Sequence, residues 1–221
     1  MGTNLVKNDY TSLPTSTISK TDLAKVSQAN RYLSRIQLFT KGKAIDNGLI
    51  GPGRYGIPLT GGAEITDLGD EIDVIVFAAR MKAMDASDSD DIRTYFDVND
   101  PGFQEIVNAD GLHGLSFLFF ERRTGGFYEM FFCNKSARRV GPMLLPFVPT
   151  GPDSEDPHGP LAATLGIRYA KNKKGGWHVP TVSECKVPFS VEPSVEETIA
   201  EITKFLNPED ATEADERERA R

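Results

Sequence analysis

The chain has 221 residues, of which 39% are hydrophobic and 26% are charged, and its formal net charge is −7. This length is enough to bury a sizeable core without disulfides, and no apolar run approaches the roughly 20 residues that span a bilayer. The N-terminus lacks a secretory signal pattern, and the two cysteines, Cys133 and Cys185, suit neither a zinc site nor a disulfide framework. These features predict a cytoplasmic, intracellular globular protein with no membrane partner.

Charge is unevenly distributed along the chain. Residues 1–56 carry a net +5, residues 57–112 carry −10, residues 113–180 carry +4 and residues 181–221 carry −6. A protein with a local basic surface can bind a polyanion when its acidic parts face elsewhere. The net negative charge therefore does not exclude a nucleic-acid partner.

The opening of the chain is polar up to about residue 30 and predicts a flexible N-terminal arm, residues 1–30. A short helix is expected within it from Thr21 and Asp22. From residue 31 the pattern changes to β, with a first strand around Ile36 to Phe39. The glycine-dense run that follows, from Gly48 to Gly62, lacks the Walker order and a strand–GxGxxG–helix context, so we interpret it as a turn-rich connector.

A dense β-branched run, Ile72 to Ala78, predicts a strand in the middle of a sheet. It is followed by an acidic cluster at Asp85, Asp88, Asp90 and Asp91. This cluster lacks the glycine and the terminal glutamate of an EF-hand loop, and runs of like charge are usually solvated. We therefore expect a loop there and no metal site.

The longest apolar concentration runs from Leu112 to Arg139 and predicts a hairpin with its turn at residues 123–126. A protein that binds unpaired nucleotides needs this combination of rings and cations, because rings stack on bases while Arg and Lys contact phosphates. The alternative is that these aromatics are simply core. The predicted stacking rings are Phe119 and Tyr128, with Phe120 or Phe127 replacing them if the strand phase slips by one. The predicted phosphate contacts are Arg122, Arg123, Lys135 and Arg138.

A second hairpin is predicted from Leu165 onward, with basic residues at its tip and an aromatic after it. Lys171, Lys173 and Lys174 are candidate phosphate contacts, and Trp177 is either a stacking ring or the cap of a core. Before this hairpin, Pro142, Pro146 and Pro149 exclude an interior strand or helix.

The C-terminal part is expected to be a helix over residues 193–207, capped by Ser194 and followed by a charged, disordered tail at residues 208–221. The β-rich domain is thus expected to span residues 31–192. Three histidines, His113, His158 and His178, show no metal spacing, and no serine lies in a nucleophile elbow. We therefore predict no catalysis and no cofactor.

The overall layout resembles the bacteriophage single-stranded-DNA-binding proteins of the OB-fold type. The resemblance covers roughly residues 30–190 and rests on four features: the glycine-rich segment Gly51 to Gly56, the β-rich middle, the two basic-aromatic hairpins and the acidic C-terminal extension. It implies a five-stranded Greek-key barrel with inserted loops, binding single strands without strong sequence preference. It also implies a tail that recruits replication or recombination proteins, although here the tail closes with Arg217, Arg219 and Arg221 and has no apolar tip.

Together these patterns predict a mainly β, OB-like domain with a C-terminal helix. Its expected function is to bind and protect single-stranded DNA, or RNA, during replication or recombination, and homo-oligomerisation is left open. Two alternatives remain. One is a viral protein–protein assembly module that uses exposed aromatic hairpins as its interface. The other is a metal-dependent hydrolase using the acidic cluster, with its chemistry built from Asp67, Asp70, Asp73 and Asp85.

Overall fold

The computed structural model describes residues 33–59, 64–87, 92–133, 135–173 and 175–207. The fold is mainly β, and its larger sheet is curled into a half-barrel, consistent with an OB-like β fold. The strands are β1 Gln37–Phe39, β2 Arg54–Pro58, β3 Ile65–Gly69, β4 Ile72–Asp85, β5 Arg93–Tyr95, β6 Leu112–Glu121, β7 Gly126–Phe132, β8 Leu161–Asn172 and β9 Gly175–Glu184. The helices are α1 Lys43–Asp46, α2 Pro101–Asn108, α3 Lys135–Val140 and α4 Val195–Leu206, with a 3-10 helix at Gly141–Phe147.

The larger sheet has the order β7-β6-β4-β8-β9, and β5 pairs with the end of β4. Each of its ladders is antiparallel. The predicted central strand and both predicted hairpins are confirmed, since β4 lies in the middle and β6–β7 and β8–β9 are hairpins. The described strands number nine in two sheets, which differs from the five strands that the resemblance implies.

The smaller sheet, β1-β2-β3, packs against one face of the larger one. Its middle strand, β2, lies inside the glycine-rich segment that we interpreted as a connector, and that interpretation is wrong for these five residues. Tyr55 and Ile57 are buried there. Glycine and proline mask the alternation that would have indicated the strand, because neither has a side chain typical of strands.

The two faces of the larger sheet bury separate apolar clusters. Val74 and Phe119 belong to the face covered by the smaller sheet and α3, which we call the small-sheet face. Ile75 and Phe120 belong to the opposite face, covered by α4, which we call the helix face. Apolar groups on both sides of β4 and β6 explain why their sequences are almost continuously hydrophobic.

A β-bulge at Phe77 shifts the pairing of β4 with β6 between Val76 and Ala78. A bulge adds one residue to a strand and exchanges the faces of the residues after it. As a result, Arg80 and Lys82 pair opposite Ser116 and Gly114 and lie on the helix face. The bulge therefore directs two cations towards α4.

The described helices follow local signals. Asp100 caps α2 by accepting a hydrogen bond from the Gly102 amide at 2.7 Å, and Pro101 opens the helix. Ser194 caps α4 as predicted, accepting from the Glu197 amide at 3.1 Å. The proline-rich stretch, expected to exclude regular helix, forms the 3-10 helix instead, which tolerates its prolines over a short length.

Several predictions fall on residues that the structure does not describe. These are the N-terminal arm, its short helix, the acidic residues Asp88, Asp90 and Asp91, and the charged tail. Among the described residues, no helix is both long and apolar enough to cross a membrane.

Candidate nucleic-acid interface

The second hairpin continues past the end of its pairing with β4 as a two-stranded arm, in which Val179 stays buried in the cluster of the small-sheet face. β8 pairs with β4 only from Leu161 to Leu165, whereas it continues to pair with β9 as far as Asn172. We call residues 166–172 and 175–181 the arm. The Tyr55 hydroxyl donates to the Gly166 carbonyl at 3.0 Å, which fastens the root of the arm to the smaller sheet. Because Tyr55 is buried, the pKa of its hydroxyl is raised and the group stays protonated.

The arm is basic and carries no compensating carboxylate. From residue 157 to residue 183 the sequence contains no Asp or Glu, whereas it contains Arg168, Lys171, Lys173 and Lys174. The first three are exposed, and none of them forms an ion pair with a residue that the structure describes. Lys174 lies outside the described residues. The positive charge of the arm is therefore available to a polyanion.

Three rings accompany these cations. Trp177 is 36% exposed, and Tyr169 is 61% exposed, the second most exposed of the large apolar side chains in the described chain. The rings of Tyr169 and His178 lie 5.2 Å apart between centroids at an angle of 58°. Sequence reasoning selected Trp177 but missed Tyr169 and His178. The available signal was the position of Tyr169 between Arg168 and Lys171, a few residues before the Gly175–Gly176 pair.

The rings lie on opposite faces of the arm. Tyr169 pairs across the ladder with His178, and the next pair is Ala170 with Trp177. Residues paired directly share a face of the ladder, and successive pairs alternate between faces. The arm therefore offers one ring pair on one face and a single tryptophan on the other.

The first hairpin buries one of its two predicted stacking rings. Phe119 is fully buried, with a relative exposure of 0%, so its prediction as a stacking ring is wrong. The physical reason is that Phe119 stacks on Phe117 at 5.8 Å within the cluster of the small-sheet face. The alternative ring Phe120 is also buried, in the other cluster. Tyr128 and Phe127 are partly buried and pack against the two clusters.

The cations of the first hairpin are engaged within the protein. Arg122 donates from Nη1 to the Asp73 carboxylate at 3.0 Å. Arg123 donates to the carbonyls of Leu68 and Glu71. These contacts hold the β6–β7 turn against the start of β4. Both side chains therefore contribute to the stability of the fold.

Lys135 and Arg138 lie on α3 and share one carboxylate, that of Asp110. Their hydrogen bonds lower the pKa of Asp110 to about 2. The pairing neutralises part of their charge without removing them from the surface, because the Lys135 side chain is 80% exposed. The role of Lys135 and Arg138 as phosphate contacts stays a prediction. Because Asp110 neutralises part of their charge, they offer less unpaired positive charge than the arm does.

A buried ion cluster lies on the helix face. Glu129 accepts from Lys82 Nζ at 2.8 Å and from Arg80 Nη2 at 3.2 Å, and the Ser116 hydroxyl also donates to it at 2.7 Å. Burial alone would raise the pKa of Glu129, but these partners hold it at about 2. Burial also disfavours the charged form of Lys82, which lowers the pKa of its ammonium group. Arg80 also donates to the Phe205 carbonyl at the end of α4. The ion cluster therefore links α4 to the larger sheet.

The carboxylates proposed for a hydrolase are not gathered. Asp67 pairs with Arg54 at 2.7 Å, and Asp73 pairs with Arg122. At the other end of β4, Asp85 accepts a hydrogen bond from the Ser87 amide. Within the described part of the chain, no group of three or more His, Cys, Asp or Glu side chains could hold a metal ion. The described carboxylates therefore give the hydrolase alternative no support, while Asp88, Asp90 and Asp91 of the acidic cluster lie outside the described residues.

Comparison of the chain with protein-family models, with curated proteins and with solved structures found no match in any of the three. The assignment of function therefore depends on the chemistry of the arm.

Proposed function

We propose that this protein binds single-stranded nucleic acid, DNA or RNA, through the β8–β9 arm and without catalysis. The observation that supports the proposal is the combination of Tyr169 and Trp177, both exposed, with Arg168, Lys171 and Lys173, none of which forms an ion pair with a described residue. Bases stack on exposed rings, and cations meet the phosphates on either side.

The arrangement favours unpaired strands over duplexes. A ring can stack only on a base whose own neighbour has moved away, and in a duplex both faces of each base are already stacked. Stacking tolerates any base because every base has a π-face, so weak sequence preference is expected. The charge of the arm supplies affinity but no sequence information.

The proposal is tested by fluorescence anisotropy of labelled oligo-dT, oligo-rU and a duplex, with Trp177 emission followed in parallel. Binding to the single strands is expected to weaken steeply with salt. Each lost phosphate contact changes the slope of log K against log salt by about 0.7 for single strands. The Lys171→Gln, Lys173→Gln double variant should therefore flatten the slope by about 1.4.

A matched control removes two charges elsewhere. Lys186 is exposed after β9, and Lys204 pairs with Glu201 on α4. The Lys186→Gln, Lys204→Gln double variant should leave the slope unchanged. No binding by the wild-type protein at low salt would overturn the proposal. The exposed rings would then be better explained as a protein interface, whose affinity should depend little on salt.

A further inference from the structure

The arm contacts the chain segment that links β1 to β2. At Gly53, which ends the segment between β1 and β2, an added β-carbon would lie 2.5 Å from the His178 ring. The His178 side chain thus occupies the space left by the missing side chain of Gly53. This contact places the segment Thr40–Gly53 directly beside the face of the arm that carries Tyr169 and His178.

The same glycine is fixed to the start of the segment. The Gly53 amide donates to the Phe39 carbonyl at 2.7 Å, so the two ends of the segment are in contact. Lys41 follows Phe39 by two residues, which limits the separation of their Cα atoms to about 7 Å. Lys43 begins α1 two residues later. Both lysines therefore lie on the segment that borders the arm.

Lys41 and Lys43 are exposed, and neither forms an ion pair with a residue that the structure describes. The segment from 40 to 53 contains one carboxylate, Asp46, so its net charge is positive. A strand held on Tyr169 would run between this segment and the arm. Its phosphates would meet cations from both sides, as in the positively charged grooves that track a single strand.

We infer that the segment Thr40–Gly53 forms the second wall of the binding groove, with Lys41 and Lys43 as phosphate contacts and the Gly53–His178 contact as the floor between the walls. This inference rests on the proposed function of the arm. It adds a second, separate chain segment to the site, on the face of the arm that carries Tyr169.

Lysine-reactive footprinting of the wild-type protein with and without oligo-dT tests the inference without any variant. Lys41 and Lys43 should be protected together with Lys171 and Lys173, while Lys186 should react equally in both samples. Protection of the arm lysines alone would overturn the second wall and leave the proposed function standing. If the oligonucleotide protects none of the four lysines, both fail.

A second measurement uses the Lys41→Gln, Lys43→Gln double variant in the anisotropy assay. Loss of two phosphate contacts should flatten the salt slope by about 1.4 and weaken binding by roughly 60-fold at 50 mM salt. The Lys186→Gln, Lys204→Gln protein is again the charge-matched control. An unchanged slope in the Lys41, Lys43 variant, with an altered slope in the Lys171, Lys173 variant, would contradict the inference.

Discussion

The phenol oxygen of Tyr169 occupies the space in which a side chain of residue 176 would begin. A β-carbon added to Gly176 would lie 1.8 Å from this oxygen and 2.2 Å from the adjacent ring carbon. The Tyr169 ring therefore packs against the backbone of Gly176, while most of its surface stays exposed. In the proposed complex, a ring supported in this way would lose little conformational entropy on stacking with a base.

Gly176→Ala should displace the Tyr169 ring and weaken binding of oligo-dT almost as much as Tyr169→Ala does. Loss of one stacking ring costs about 1–3 kcal/mol of binding free energy. Gly159→Ala is the matched control, because an added β-carbon there meets no atom within 4 Å. Equal affinities of the Gly176 variant and the wild type would show that Tyr169 does not act as a platform.

Phe119 and Trp177 should respond to substitution in opposite ways. Phe119→Ala removes a ring from the core and should lower the free energy of unfolding by about 3–5 kcal/mol. Trp177→Ala should lower the affinity for single strands and leave the free energy of unfolding nearly unchanged, because the ring is partly exposed on the arm. Urea unfolding and anisotropy on the same samples separate the two effects. A large loss of stability in the Trp177 variant would assign that ring to the core instead.

Glu129→Gln should destabilise the fold by roughly 3–5 kcal/mol at pH 7, since it leaves Lys82 and Arg80 buried without their counter-ion. Glu105→Gln, at an exposed position on α2, is the control and should have little effect. Guanidinium unfolding measures both variants.

The stabilisation by Glu129 should also depend on pH. Its pKa is lowered from 4.5 to about 2 in the folded protein. A carboxyl group with a lowered pKa contributes stability above its unfolded pKa and loses it as pH falls through the folded value. The difference in unfolding free energy between the wild type and Glu129→Gln should therefore narrow between about pH 5 and pH 2. A difference that stayed constant over this range would mean that Glu129 is not ionised in the fold.

Tyr55→Phe should loosen the root of the arm. The variant removes the hydrogen bond to the Gly166 carbonyl and should cost about 0.5–1.5 kcal/mol of stability. Hydrogen exchange should accelerate in the arm more than in β4 and β6, which β7 and β8 flank. Uniform acceleration across the protein would show that this bond supports the whole fold and not the arm in particular.

The elements with strong local signals could be predicted from the sequence. The β-branched run of β4, the glycine turns of the two hairpins and the Ser194 cap of α4 each indicated the element that the structure contains. The strand β2 could not be predicted, because its pairing with β1 and β3 depends on chain segments on either side of it. Such pairing is a tertiary property, and local propensity reports little of it.

For the candidate site, the sequence by itself determined that cations and rings alternate in two hairpins and that the arm lacks carboxylates. Only the tertiary structure decided which hairpin exposes its rings and leaves its cations without a described acidic partner. In β6 the rings are buried by layers on both faces, and the nearby cations meet Asp73 and Asp110. Beyond Leu165 the arm has left β4, and its cations have no described acidic neighbour in contact. The exposure of a ring and the pairing of a charge depend on which distant residues contact them. The sequence pattern of a strand is the same whether its rings are buried or exposed.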